Sequence, residues 1–196
     1  MTVDTLIEAT ARVLKKDGYD RASTNRIAAA AGVSIGSLYQ YFPSKEALVA
    51  AVIERHTQDL SRLVLDALRG VADRPIEVGA PALVKAAIDA HRVDPKLHRV
   101  LAEQVPRIGR LESIDAVERN SRGLIREYLV AHRNEIDVAD LDLAAFILSS
   151  TVEALTHNAV LHRPDVLADG KVNAFVDEVT RMVIGYLRAP SPRRRS

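Results

Sequence analysis

The chain has 196 residues, enough for a small domain joined to a larger one, and its 47% apolar and 27% charged residues supply a core and a solvated surface. It contains no cysteine, which excludes a disulfide scaffold, a thiolate metal site and a cysteine nucleophile. The formal net charge of +1 neither requires nor forbids a nucleic-acid partner, so the local distribution of charge has to decide.

The start, Met1-Thr2-Val3-Asp4, lacks the basic and apolar runs of a signal peptide, and no stretch approaches the length of a membrane span. The expected location is the cytoplasm, with no membrane partner. From Val3 to Lys16 apolar residues recur at steps of three and four (Val3, Leu6, Ile7, Thr10, Val13, Leu14), the period of an amphipathic helix, and Asp17-Gly18 ends it. Thr24 is the expected N-cap of a two-turn helix that stops at Gly32. Ser34 is the expected N-cap of the next, with Val33 and Leu38 spaced as a hydrophobic staple and Pro43 as its terminator. Ser44 caps a fourth helix that runs to about Arg69, and Gly70 to Ala80, with Pro75 and Gly79, reads as a loop. Further helices are expected over Pro81–His91, Pro95–Val105, Glu112–Arg133, Ala139–Leu161 and Lys171–Leu187, followed by a disordered tail from Pro190. No strand pattern interrupts them, so the predicted fold is all-α with about nine helices. Its expected division is a helix-turn-helix unit over 1–45, a larger helical domain over 46–188 and the tail over 189–196.

The second and third helices carry the clearest constellation. A tight helix-turn-helix needs a small residue where the helices cross, a glycine in the turn and an apolar residue of the second helix facing the first. Ala28, Gly32 and Leu38 meet those needs. The outward face of the third helix is unusual, because Tyr39 and Tyr41 flank Gln40, and Gly36 sits where glycine costs about 1 kcal/mol against alanine. The compensation would be a close approach of backbone to a groove or phosphate. Ser34 leaves backbone N–H groups for a phosphate oxygen, and Lys45 adds charge at the start of the fourth helix. From Met1 to Lys45 six basic residues stand against four acidic ones, which predicts modest, salt-sensitive nonspecific binding.

The run Thr24-x-x-Ile27-Ala28-x3-Gly32-Val33-Ser34-x-Gly36-x-Leu38-Tyr39-x-Tyr41-Phe42-x-x-Lys45-Glu46-x-Leu48 resembles the signature of the TetR family of bacterial regulators. The resemblance implies a DNA-reading domain in the first three helices, joined by the fourth to a helical domain for ligand binding and dimerisation. It implies phosphate contacts by Thr24, Tyr41 and Lys45. It sets Asn25, Ile35, Gly36, Ser37, Tyr39 and Gln40 against base edges or the sugar-phosphate wall, with Ser34 at the helix start. The partners it implies are a double-stranded palindromic DNA operator, a second copy of the chain and a small-molecule effector whose binding shifts the fourth helix. One departure concerns the start, where many members carry a basic arm and Thr2-Val3-Asp4 instead leads straight into the first helix.

The remainder is less specific. The helix over Ala139–Leu161 is apolar nearly all round and must be covered on several sides. The expected dimer face therefore takes Phe146, Ser150 and Ala154 from it and Phe175, Val179 and Val183 from the last helix, on the precedent of a bundle with two helices from each subunit. Candidate liners of an effector pocket are His91, His98, Glu103, Gln104, Arg107, Tyr128, Glu153 and His157, each of which reads equally well as a core or rim residue. A chain with only 4% aromatics suits an apolar or amphipathic effector better than a flat dye. The sequence holds no nucleophile–base pair, phosphate-cradling loop or metal-ligand spacing. No catalytic, cofactor or metal role is expected. A DNA-binding activator or architectural factor of the same fold, without an effector, is the alternative reading.

Overall fold

The computed structural model describes residues 3–104 and 112–189. Nine α-helices and no strand occur among the described residues. They are α1 (Val3–Asp17), α2 (Thr24–Ala31), α3 (Ile35–Tyr39), α4 (Lys45–Gly70), α5 (Ile76–Arg92), α6 (Pro95–Gln104), α7 (Glu112–Ala131), α8 (Leu141–His162) and α9 (Val172–Arg188). Short 3₁₀ turns follow α7 at Arg133–Glu135 and α8 at Pro164–Leu167.

Two compact units make up the chain. The first holds everything through Asp59 together with α6 and its flanks, and the second holds Leu60–Val93 together with the chain from Val117 onward. The reason is visible in the core of the first unit. Leu6, Leu14, Ile27 and Leu38 are fully buried there with Leu48, Val49 and Val52 of α4, and Leu97 and Val100 of α6 join the same cluster. Each buried side chain of this size contributes about 1.5–3 kcal/mol, so α1–α3 without α4 and α6 would leave much of their apolar surface open. Asp94 accepts from the Leu97 N–H at 3.1 Å and meets Lys15 at 2.8 Å, which caps α6 and ties it to α1. The core of the second unit gathers Ile76 and Ile88 of α5, Leu129 of α7, Val160 of α8 and Leu187 of α9, each at 2% exposure or less.

Two local expectations are corrected. The N-cap of α2 is Ser23, whose backbone is extended and whose hydroxyl accepts the Arg26 N–H at 3.4 Å, and Thr24 is the first helical residue. The segment read as a loop up to Ala80 is helical from Ile76, so Pro81 lies inside α5 instead of opening it. Long-range packing overrides the breaker signal. The Glu135 carboxylate accepts the Ile76 N–H at 2.8 Å, Ile76 is completely buried, and Gly79 lies against the Tyr128 ring so closely that a Cβ would fall within the phenol. Pro81 removes one backbone donor from the helix, and the bonds from Val78 and Gly79 to the Pro75 carbonyl, both 2.9 Å, already hold the turn before it.

Candidate nucleic-acid interface

The reading surface is built from short-range chemistry on α2 and α3. Gly32 ends α2 at φ 71°, a left-handed conformation that favours glycine, and a Cβ there would meet nothing within 4 Å. The dihedral alone explains that residue. Ser34 then caps α3, its Oγ accepting the Ser37 N–H at 3.1 Å and lying 2.8 Å from the Ser37 hydroxyl. Leu38 has no exposure and packs under α2, where Ile27 is likewise fully buried and Ala28 nearly so. After Tyr39 the helix closes with the Tyr41 and Phe42 N–H groups both on the Leu38 carbonyl at 3.0 Å, and Pro43 follows.

These anchors leave an outer face rich in groups that the protein does not cover. Tyr39 is 51% exposed, Tyr41 47% and Ile35 38%. Asn25, Ser34, Gly36 and Gln40 are exposed, whereas Ser37 and Thr24 are half-buried. A Cβ on Gly36 would meet only the Ser34 hydroxyl, at 3.9 Å, so nothing inside the chain requires a glycine there. The Thr24 Oγ1 lies 3.1 Å from the Tyr39 phenol oxygen, a link between α2 and α3 that no local sequence pattern announces.

Lys45 is held more firmly than a surface charge. Its Nζ sits 3.9 Å from the centroid of the buried Tyr19 ring and donates to the Tyr19 carbonyl at 3.2 Å. Beside it, the Glu46 carboxylate is kept below its ordinary range by its own backbone N–H and then by the Ser44 hydroxyl, so the first turn of α4 carries fixed opposite charges. Of the basic residues counted in the sequence, Lys15 is paired with Asp94 and Arg26 with Asp17 at 3.1 Å, and Arg12 donates to the Ala30 carbonyl at 3.1 Å.

The residues expected at an effector site occur in both units. His98 belongs to the first unit, where its Nδ1 lies 3.1 Å from the His56 Nε2, and Glu103 is exposed there. Arg107 lies outside the described residues, as does the Gln104 side chain. In the second unit, Tyr128 is buried with its hydroxyl donating to the Arg74 carbonyl at 3.0 Å, and Glu153 is exposed on α8. His91 and His157 also lie in this unit. Burial of His91 pushes its imidazole below the ordinary histidine value, its bond to the Ala87 carbonyl opposes the shift, and His157 adds to it.

The expected dimer residues also separate. On α8, Phe146 is 48% exposed and Leu143 51%, Ala154 is exposed and Ser150 half-buried. Leu143, Ile147, Ser150, Ala154, His157 and Leu161 follow one another at alternating steps of four and three. That spacing keeps them on a single stripe of the helix. A shallow open groove of about 390 Å³ runs along it between Phe146 and Asn158. On α9, Phe175 is half-buried, but Val179 and Val183 are 4% and 6% exposed and belong to the chain's own core. The large apolar residue that α9 exposes is Met182. No group of three or more metal-ligating side chains occurs among the described residues, and no helix among them is long and apolar enough to cross a membrane.

Residues 6–52 match the family profile described as bacterial regulatory proteins, tetR family, and residues 75–187 match the one described as tetracyclin repressor-like, C-terminal domain. Over 162 residues the chain is 29% identical to the HTH-type transcriptional regulator BetI of Cronobacter sakazakii, covering 80% of this chain and 78% of that one. It is 35% identical over 86 residues to the nucleoid occlusion factor SlmA of Haemophilus ducreyi, of which it spans only 42%, with 44% of this chain matched. The solved structure of the fatty acid degradation regulator FadR from Bacillus halodurans superposes with a TM-score of 0.69 at 25% identity, covering 95% of this chain and all of that one.

Proposed function

The chain belongs to the TetR family of bacterial transcriptional regulators, and from that premise we propose that it is a repressor that binds a palindromic operator as a homodimer and leaves it when a small amphipathic effector binds. The observation that carries the DNA-contacting role is Gly36, an exposed glycine in a helix, flanked by half-exposed Tyr39 and Tyr41, whose missing side chain answers no need of the fold. The duplex contacts are Thr24, Asn25, Ser34, Ile35, Gly36, Ser37, Tyr39, Gln40, Tyr41 and Lys45. Thr24, Tyr41 and Lys45 address phosphates, Tyr39 lies against the sugar-phosphate wall, and Gln40 and Asn25 reach adenine edges. The homodimer forms on the outer stripe of α8, supported by its exposed Leu143, Phe146 and Ala154, and it sets two reading heads about one helical turn of DNA, ~34 Å, apart.

The effector binds in the second unit, where the buried His91 supplies a polar contact. The likeness to a structure whose name concerns fatty acid degradation supports an effector with an acyl chain. An effector can release DNA only as far as it prefers the state that cannot bind. The test is to select duplexes from a random-sequence pool with the full protein, measure stoichiometry by native mass spectrometry, and add fatty acids and their thioesters at fixed salt. Two protomers on a palindromic site and release by one of these compounds are expected. One protomer per duplex would rule out the dimer, and binding indifferent to every acyl compound would rule out this effector class. The second reading, an architectural factor with no effector, has support in the match to a nucleoid occlusion factor, which lies over 86 residues. It predicts a tightly packed second unit that no small molecule stabilises against heat.

A further inference from the structure

Thr24 and Tyr39 meet across the helix-turn-helix, hydroxyl to hydroxyl, at 3.1 Å. Tyr39 stands on a five-residue helix with half of its surface open, so packing does not fix where its phenol points. Thr24 is the opposite kind of residue. It is the first residue of α2, directly behind the Ser23 cap, half-buried and β-branched, so its backbone is fixed and its χ1 is stiff. One end of the pair is therefore rigid and the other is not. A phosphate oxygen only accepts hydrogen bonds, so a phenol that grips one must donate its own proton. The neighbouring hydroxyl must then donate into the phenol oxygen, an arrangement in which each bond strengthens the next.

We propose that Thr24 is a positioning residue that acts through Tyr39: its hydroxyl donates to the Tyr39 phenol, and the phenol donates to a DNA backbone phosphate. This rests on the assignment of the α3 face to DNA. It departs from a direct phosphate contact by Thr24, because in this arrangement its hydroxyl proton is already committed.

The two roles separate in a double-mutant cycle, measured as affinity for a duplex that the wild-type protein has selected from a random-sequence pool. Thr24→Val keeps the shape of the side chain and removes the hydroxyl. Fixing one such side chain is expected to matter by about two- to tenfold per reading head. Thr24→Val alone should weaken binding by that amount, and Thr24→Ser should restore it. In a Tyr39→Phe background the same Thr24→Val change should make no further difference. Equal losses from Thr24→Val in both backgrounds would overturn the proposal and return Thr24 to a direct contact, as would a Thr24→Ser variant no better than Thr24→Val. Affinities are read per folded molecule, with Thr24→Ala as the second variant should valine disturb the cap. A wild-type protein that selects no duplex would instead refute the DNA-binding assignment itself, and the relay with it.

Discussion

Replacing Gly36 by alanine should move stability and DNA binding in opposite directions. The residue sits in helix α3, is exposed, and a Cβ there would come no nearer than 3.9 Å to another heavy atom outside its immediate neighbours, the Ser34 hydroxyl. The folded chain therefore accepts the methyl without strain, and alanine gains up to about 1 kcal/mol over glycine in a helix. In a chain of this size such a gain raises Tm by about 2–4 °C. On DNA the same methyl stands between the backbone and the groove wall, and a displaced contact of this kind costs about 1–3 kcal/mol. A dimer makes it twice, so operator affinity should fall by about 30-fold or more. Calorimetry gives the first quantity, and fluorescence anisotropy at fixed salt on a selected duplex gives the second. If Gly36→Ala binds like the wild type while melting higher, the duplex does not approach this backbone. If it melts lower, the glycine serves the fold, and the argument from its exposure fails.

Three further outcomes follow from the packing. Gly79→Ala drives a Cβ into the Tyr128 phenol, which is tied at 3.0 Å to the Arg74 carbonyl, and should destabilise the protein by about 1–3 kcal/mol. The loss should largely vanish in a Tyr128→Ala background, and an unchanged loss there would show that the clash is not its cause. Ala154→Glu places a charge on the outer stripe of α8 and should yield monomers in analytical ultracentrifugation with an unchanged melting curve per protomer. Val179→Ala, by contrast, opens a cavity and should cost about 1–3 kcal/mol without a specific effect on assembly. His91 takes up a proton in the unfolded chain near the ordinary histidine value of about 6.5 and in the folded chain only at lower pH. The unfolded state binds more protons between those values, so His91's contribution to stability is complete above the ordinary value and is lost as pH falls through this window. His91→Gln should flatten part of the decline in Tm between neutral and mildly acid pH, and an identical slope in the variant would contradict the burial argument.

What the sequence made legible was local. The Ser34 cap, the left-handed Gly32 and the buried Leu38 each follow from the residue and its near neighbours, and together they define the helix-turn-helix. What escaped was set by residues far away in the chain. Pro81 reads as a helix start until Glu135 and Tyr128 are seen to hold the preceding turn. A helix with two apolar sides does not say which is inward, so the burial of Val179 and Val183 in the chain's own core was not legible. Lys45 reads from the sequence as a phosphate contact, with no sign of the Tyr19 ring beneath it, and removing it should cost about 0.5–1 kcal/mol of stability in addition to any DNA contact. His98 lies 3.1 Å from His56, forty-two positions away, a pairing that no local pattern announces.

The manner in which α6 returns to the first unit has a practical bearing on the design of hybrid regulators. A reading head cut after the helix-turn-helix, or even within α4, would lose Leu97 and Val100 from its core and the Lys15–Asp94 tie from its rim. Exchange of DNA specificity between this protein and a relative is therefore a matter of grafting surface side chains onto α2 and α3. A transplant of the N-terminal segment alone would carry an unfinished fold into its new host.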